Sequence, residues 1–232
     1  MYARQIEGQT LTFGVSGMLL RDSLVMYDRE TLTLWTQVDG LGIRGALSRR
    51  ALQAVPAVHT TWKAWKTLYP ASRVLQKRRS RGSAYEDYNR NPNELGILGR
   101  PNIDSRLDGK ARILGIRHGG TQTAFPVDEV RDARLVETTV GDLAVLLAGA
   151  SDEVPVQVYD RRVGERVLTF RFTDGDRALR DNETASTWRL ADGVAIDGPL
   201  EGQRLTRVAA HSAFWFGWQG FFPRSAVWHA ER

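Results

Sequence analysis

The chain repeats itself, and this repeat constrains the fold more than any other feature of the sequence. The opening residues MYARQIEGQTLTF recur as YDRRVGERVLTF from position 159. Self-similarity at a fixed spacing indicates duplicated structural units. The residues matched here at an offset of 157 are Tyr2 with Tyr159, Arg4 with Arg161, Leu11 with Leu168, Thr12 with Thr169 and Phe13 with Phe170.

Further along the chain the offset changes to 153 and stays constant over about 50 residues. The difference of four residues places an insertion in the first copy, within GVSGMLLRDSLVM, where the second copy has RFTDGDRAL. Paired tryptophans and prolines at one offset favour duplication over coincidence. The matched pairs include Asp28 and Asp181, Glu30 and Glu183, Trp35 and Trp188, Trp62 and Trp215, Trp65 and Trp218, and Pro70 and Pro223.

The repeat predicts a first unit at 1–75, a linker loop at 76–110 and a second, complete unit at 111–232. Before Tyr159 the second unit has the segment 112–158, whereas only Met1 precedes Tyr2. We therefore expect the first unit to be truncated by about 46 residues and to begin in mid-strand. A strand edge left unpaired in this way favours self-association.

The short runs between turn residues predict a mainly β fold, a β-rich α+β protein of short antiparallel strands. QTLTFGVS, SLVMYD, LTLWTQV, RVLTFRF and STWRL are rich in β-branched or aromatic residues. EGQ, VGER and GIRHGGTQ indicate hairpin turns. The run GDLAVLLAGA fits either a buried helix or a buried strand, because periodicity does not decide over so few residues.

Each unit is expected to end in a short tryptophan-containing helix. TTWKAWKTLYP has Thr60 or Thr61 as a cap, two tryptophans on one face and Pro70 as a stop. Its counterpart AFWFGWQGFFP has the same tryptophan spacing and a more apolar surface. The simpler interpretation is that these tryptophans pack in the core. The alternative is that they form an exposed stripe that contacts a partner.

The repeated DRET and DNET segments carry the most interesting polar side chains. If the segments are extended, Asp28 with Glu30, and Asp181 with Glu183, place two carboxylates on one face. Such pairs, with Arg29 beside the first, fit a ligand site or an acid–base pair of a hydrolytic or metal-dependent enzyme between the two units. The alternative, favoured by recurrence in both copies, is a turn in which Asp and Thr bind the local backbone.

Two further candidates are weaker. Ser16 in FGVSGM lacks the G-x-S-x-G spacing of a nucleophile elbow, so close approach of a ligand to this glycine-rich stretch is the better hypothesis. The basic run at Lys77, Arg78, Arg79 and Arg81, followed by tyrosines, could hold nucleic acid, but a solvated linker is the simpler interpretation.

The amino-acid composition excludes several kinds of site. The chain has no cysteine, which excludes disulfides and thiolate metal ligands within it. The histidines lack metal-ligand spacing, so no metal site is predicted, and no cofactor is indicated. No apolar run reaches the roughly 18–20 residues of a transmembrane helix.

With these stretches assembled, the chain resembles the domain of unknown function 3179 (DUF3179) family over nearly its whole length. The residues that carry the resemblance are LTFGVSGMLLRDSLVMYDRETLTLWTQ, TTWKAWKTLYPASRVL, DYNRNP and SRLDGKARILGI. The resemblance implies a Cys-Pro-Leu-Cys-Gly segment shortly before the strand at which this chain begins. It also implies an export signal or lipid anchor further upstream, and hence an exported or envelope-associated protein. It implies no reaction.

The sequence therefore favours an uncharacterised β-rich binding or assembly module over an enzyme. The insertion in the first copy is the segment in which we expect a specialised function, because it is a difference between two otherwise similar copies. This step rests on architecture alone.

Overall fold

The computed structural model describes residues 1–76, 85–92, 94–96, 99, 101–149, 154–173 and 175–230, with the backbone alone at 87 and 89. Lys77, Arg78, Arg79 and Arg81, the proposed contacts for nucleic acid, lie outside the described residues.

The protein is mainly β, as predicted, with helices of seven residues or fewer in the part of the chain described. The helices are α1 (Trp62–Leu68), α2 (Glu86–Arg90), α3 (Val127–Ala133) and α4 (Trp215–Phe221). The strands are β1 (Gln5–Ile6), β2 (Gln9–Thr10), β3 (Phe13–Leu20), β4 (Ser23–Asp28), β5 (Leu34–Thr36), β6 (Gly42–Arg44), β7 (Arg112–His118), β8 (Thr121–Pro126), β9 (Leu135–Val140), β10 (Leu143–Ala148), β11 (Gln157–Asp160), β12 (Arg162–Val163), β13 (Arg166–Val167), β14 (Phe170–Phe172), β15 (Ala178–Asp181), β16 (Thr187–Arg189), β17 (Val194–Asp197), β18 (Ala210–Phe214) and β19 (Ala226–Val227).

The chain forms two compact units, each built from several segments. Unit 1 comprises Met1–Pro56, Gly82–Ile113 and His211–Ser225. Unit 2 comprises Ala57–Arg81, Leu114–Ala210 and Ala226–Arg232. These units differ from the ranges predicted from the repeat, because each takes in a short segment that is distant in sequence. The division at 1–75, 76–110 and 111–232 describes the repeat and stays a prediction.

Unit 1 is organised around an antiparallel sheet in the order β3-β4-β5-β6. A small core of Leu11, Trp35, Leu47 and Leu52 lies against it. The phenol of Tyr2 donates a hydrogen bond to the carbonyl of Val38 at 2.8 Å. These contacts tie the first residues of the chain to the sheet.

Unit 2 contains the antiparallel sheet β14-β15-β16-β17 and the sheet β11-β10-β9. The run GDLAVLLAGA, which sequence periodicity left undecided, forms strand β10. It is buried because its side chains enter two cores, with Leu146 in one and Val145 and Leu147 in the other. Strand β8 pairs in parallel with β19 at the end of the chain.

The helices that the tryptophan segments predicted are present as α1 and α4. Thr61 caps α1 by accepting a hydrogen bond from the backbone N–H of Ala64 at 3.1 Å. The predicted hairpin turns also form, since β1 pairs with β2, and β12 with β13, across two-residue turns. Among the described residues, no helix has the length and apolar character needed to span a bilayer.

Candidate functional site

The first predicted carboxylate, Asp28, ends strand β4 and is fully buried. Its Oδ1 accepts the backbone N–H of Thr31 at 2.6 Å, and its Oδ2 accepts the indole N–H of Trp35 at 2.8 Å. The hydroxyl of Thr31 donates to the same carboxylate and lies 2.7 Å from the hydroxyl of Thr33. One side chain thus fixes a tight turn and the core tryptophan that follows it.

Asp181 repeats this arrangement in unit 2. It is fully buried at the end of β15. Its Oδ1 accepts the backbone N–H of Thr184 at 2.5 Å, and its Oδ2 accepts the indole N–H of Trp188 at 2.8 Å. Ser186 takes the place of the second threonine, with its hydroxyl 2.8 Å from that of Thr184. We call the two arrangements the Asp–Trp turns.

Burial and hydrogen bonding act in opposite directions on these carboxyls. Burial raises the pKa of Asp28 and of Asp181, but the hydrogen bonds from the tryptophan indole and the turn residues outweigh it. The pKa of each carboxyl therefore lies below its usual range. Both groups are acceptors in their charged form, which suits a structural anchor and not a proton donor near neutral pH.

The glutamates hold the neighbouring strand. Glu30 accepts the backbone N–H of Thr12 at 2.7 Å, and Glu183 accepts that of Thr169 at 2.8 Å. For Glu30, the bond from Thr12 is the main reason that its pKa is lowered. For Glu183, burial raises the pKa and the bonds from Thr169 more than offset it. The carboxylate pairs are thus engaged with the local backbone, as the turn interpretation describes.

The two remaining predicted residues also make local contacts. The guanidinium of Arg29 lies 5.7 Å from the ring centroid of Tyr27. The hydroxyl of Ser16 donates to the carbonyl of Val25 at 2.5 Å and accepts the backbone N–H of Met18 at 3.1 Å. Ser16 thus stabilises the register shift at which β3 departs from regular pairing with β4. These contacts do not favour the enzyme alternative, and a ligand role for the six residues stays a prediction.

Unit 1 contains a long hairpin at the place where the sequence repeat predicts an insertion. Strand β3 pairs with β4 as far as Leu20 and Ser23, which leaves Arg21 and Asp22 as a two-residue turn. Both turn residues have positive φ, 52° and 59°, as in a type I′ turn, although neither is glycine or asparagine. The strand that the sequence repeat pairs with β3 is β14 of unit 2, which has three residues. Among the described residues, the long hairpin tip is thus found in unit 1.

The hairpin tip is held against helix α4 within unit 1. The guanidinium of Arg21 donates to the carbonyl of Gly220 at 2.8 Å and lies 5.4 Å from the ring centroid of Phe221. A non-glycine residue at positive φ is strained, and such strain persists only where surrounding contacts impose it. These two contacts supply that constraint.

A cavity of about 400 Å³ lies beside the hairpin tip, and we call it the unit 1 cavity. Its walls come from the tip, from Leu95 and residues 101–103, and from α4. Leu95, Ile103 and Phe216 supply apolar surface, and Asn102 and Gln219 supply polar groups. The lining is mostly apolar, which is the usual composition of a small-molecule site.

Sequence reasoning singled out the insertion as a candidate and missed the cavity residues that come from the linker and from α4. The sequence indicated these cavity residues only indirectly. A long loop inside a compact protein is often functional, and the linker 76–110 was recognised as such a loop. Nothing in the sequence placed Asn102 or Ile103 against the hairpin, because that proximity depends on tertiary packing.

The tyrosines considered as base-stacking residues have different environments. Tyr85 is exposed. The hydroxyl of Tyr88 accepts the backbone N–H of Gly96 at 3.1 Å, and the ammonium of Lys110 lies 3.6 Å from the centre of its ring. Tyr88 is thus part of a packed loop in unit 1. Binding of nucleic acid stays a prediction that these contacts do not support.

The fold and site define a class, a mainly β protein with two Asp–Trp turns and an apolar cavity beside an extended hairpin. The family described as Protein of unknown function (DUF3179) matches residues 1–225. The chain therefore belongs to this family. Searches among curated proteins and among solved structures find no protein that matches it.

Proposed function

We propose that this protein is a binding module and that the unit 1 cavity is its ligand site. The observation that carries the proposal is the asymmetry between the copies. The inserted residues extend a hairpin whose tip forms one wall of the cavity. A volume of about 400 Å³ is within the range of roughly 300–1,000 Å³ that is usual for small-molecule sites.

The lining indicates the class of ligand. Leu95, Ile103 and Phe216 offer apolar contact to the body of a small organic molecule. Gln219 supplies an amide group that can fix one polar end of it. The amide of Asn102 donates to the carbonyl of Leu107 at 2.9 Å, so we assign it to shaping the loop. The guanidinium of Arg21 already donates to the carbonyl of Gly220, so we assign it to shaping the wall and not to binding charge.

We further propose that the two halves of the chain arose by duplication. The proposal is supported by pairs of residues that the repeat matches and that make the same contacts in both halves. A side chain built on Gly40 would lie 2.5 Å from the ring of Tyr2, and one built on Gly193 would lie 2.8 Å from the ring of Tyr159. Both glycines have positive φ, 70° and 72°. The Asp–Trp turns add a second set of equal contacts, so the shared residues serve the scaffold.

The test uses 1-anilinonaphthalene-8-sulfonate, a fluorescent probe with an apolar body and one polar end. We expect the full-length protein to bind it saturably. Ile103 lies on the cavity wall and is 83% exposed, so Ile103→Trp narrows the entrance without disturbing the core. We expect the variant to bind the probe at least about tenfold more weakly. The larger side chain displaces apolar contact between probe and cavity, and burial of one apolar side chain is worth about 1.5–3 kcal/mol.

The matched control is Ile196→Trp, which adds the same ring at an exposed position in β17 of unit 2. It should leave probe affinity unchanged. Equal probe binding by wild type and Ile103→Trp would exclude the cavity as the site, and so would an absence of saturable binding to the wild type.

A further inference from the structure

Helices α1 and α4 have the same local structure. The indole N–H of Trp65 donates to the hydroxyl of Ser72 at 2.8 Å. The indole N–H of Trp218 donates to the hydroxyl of Ser225 at 2.9 Å. Both helices have seven residues and begin with a tryptophan.

The residues that end the two helices also match. The ring centroids of Trp65 and Tyr69 are 4.5 Å apart, and those of Trp218 and Phe222 are 4.4 Å apart. The capping residues Tyr69 and Phe222 have nearly the same backbone angles, with φ of −132° and −125°. The two helix ends therefore present the same aromatic and carbonyl groups.

A turn of unit 1, at residues 104–107, covers the start of α4. The guanidinium of Arg106 lies 4.9 Å from the ring centroid of Trp215. It also donates to the carbonyls of Ser225 at 2.6 Å and Pro223 at 3.1 Å. A 2.7 Å ion pair with Asp104 orients it, and the carbonyl of Asp104 accepts the indole N–H of Trp215 at 3.3 Å.

This segment covers Trp215, and the tryptophans of the two helices differ greatly in exposure. The two tryptophans of α4 are 0% exposed, whereas Trp62 is 51% and Trp65 41% exposed. Tyr69 is 48% exposed. The opposite side of α1 is seated in unit 2, where Ala64 is buried. We call Trp62, Trp65 and Tyr69 the α1 aromatic face.

We propose that the α1 aromatic face binds a turn of a partner protein that carries an Asp-x-Arg sequence, in the way that residues 104–106 bind α4. The arginine stacks on Trp62 and donates to the carbonyls of Pro70 and Ser72, which are the counterparts of Pro223 and Ser225. This site lies in unit 2 and is independent of the unit 1 cavity.

The chemistry of the face specifies the partner. Stacking on an indole while donating to two carbonyls requires the planar, multiply donating guanidinium, which an ammonium does not reproduce. Lys63 and Lys66 are exposed on α1, where α4 has the uncharged Phe216 and Gln219. The positive charge of α1 favours an acidic residue beside the arginine, as in the Asp-x-Arg sequence.

The experiment titrates full-length protein into a fluorescein-labelled peptide of residues 101–111, PNIDSRLDGKA, and follows anisotropy. We expect saturable binding with a Kd of about 0.1–1 mM, because the contact consists of one stacked cation and a few hydrogen bonds. Trp62→Ala should weaken binding at least about tenfold. A peptide with alanine in place of Arg106 should lose a similar factor.

The peptide could also bind α4 by displacing residues 101–111 of the protein. Trp62 belongs to α1, so Trp62→Ala weakens binding at the α1 aromatic face and leaves binding at α4 unchanged. Leu75→Ala removes a more exposed apolar side chain beyond the helix and should bind as the wild type does. The proposal is overturned if the peptide does not bind, or if Trp62→Ala binds it unchanged. It is also overturned if sedimentation shows self-association that Trp62→Ala abolishes, since the occupant is then a second copy.

Discussion

At Asp28 and Asp181 a single carboxylate holds the backbone of a turn and the side chain of a core tryptophan at the same time. Trp35 and Trp188 are fully buried, and each indole N–H must have an acceptor in order to be there. The charged carboxylate supplies that acceptor and a turn-capping group together. Charge-assisted hydrogen bonds of this kind are about twice as strong as neutral ones.

Replacement of Asp181 by asparagine should destabilise the protein by about 2–4 kcal/mol at pH 7. The amide nitrogen cannot accept a hydrogen bond, so a buried donor from Thr184 or Trp188 loses its partner, and the remaining bonds lose their charge. Urea denaturation followed by circular dichroism measures the change. Asp197→Asn is the control, because Asp197 is exposed in β17 and should cost less than about 0.5 kcal/mol.

The same variant has a pH signature. The folded pKa of Asp181 is lowered, so the unfolded chain takes up the proton at higher pH than the folded protein does. This contribution to stability is complete above about pH 4 and is lost as the pH falls through the folded pKa. The loss of stability between pH 5 and 3 should therefore be shallower in Asp181→Asn. If the free energy of unfolding falls equally with pH in the variant and the wild type, Asp181 does not have a lowered pKa in the folded protein.

At the scale of the element, both Asp–Trp turns place a non-glycine residue in the left-handed region. Leu32 has φ of 56° and Ala185 has φ of 58°. A side chain at such an angle costs roughly 1–2 kcal/mol. The turn imposes the angle because the residues on either side are fixed by the aspartate.

Leu32→Gly is expected to stabilise the protein by about 0.5–1 kcal/mol. Leu32 is largely exposed, so little packing is lost, and relief of the left-handed strain exceeds the entropy that glycine adds to the unfolded chain. The midpoint of urea denaturation should rise. Ile196→Gly, in a regular strand at an exposed position, should lower the midpoint, and a fall for both variants would show that the strain is absent.

Strands such as β3, β4 and β5 and the α1 and α4 helices were predictable from the sequence because their signals are local, whereas the run that forms β10 was left undecided. Alternation, turn residues and a threonine cap define β3, β4 and α1 without reference to the rest of the chain. The environment of the tryptophans was not predictable in the same way. Core packing is right for Trp215 and wrong for Trp62, although their spacing is the same, because a distant segment around Arg106 covers only one of them.

At the scale of the whole molecule, the proposed duplication separates what the two copies share from what they do not. The Asp–Trp turns recur and the tryptophan helices recur, and these features hold the fold. The long hairpin and its cavity occur in unit 1, and the uncovered helix occurs in unit 2. Specific binding is thus expected where the copies differ, and stability where they agree.

Shortening the hairpin tests this division. Deletion of Leu19, Leu20, Ser23 and Leu24 removes two cross-strand pairs and keeps the turn residues Arg21 and Asp22. Each strand loses about 3.3 Å per residue, so the tip retracts by about 6–7 Å from the cavity.

We expect the shortened protein to remain folded, since the anchor at Asp28 and the core around Trp35 lie at the other end of the hairpin. Affinity for 1-anilinonaphthalene-8-sulfonate should fall at least about tenfold, because one wall of the site is then missing. The control is again Ile196→Trp, which leaves the hairpin intact and should bind the probe as the wild type does. Full probe affinity in a folded, shortened protein would show that the insertion does not build the site.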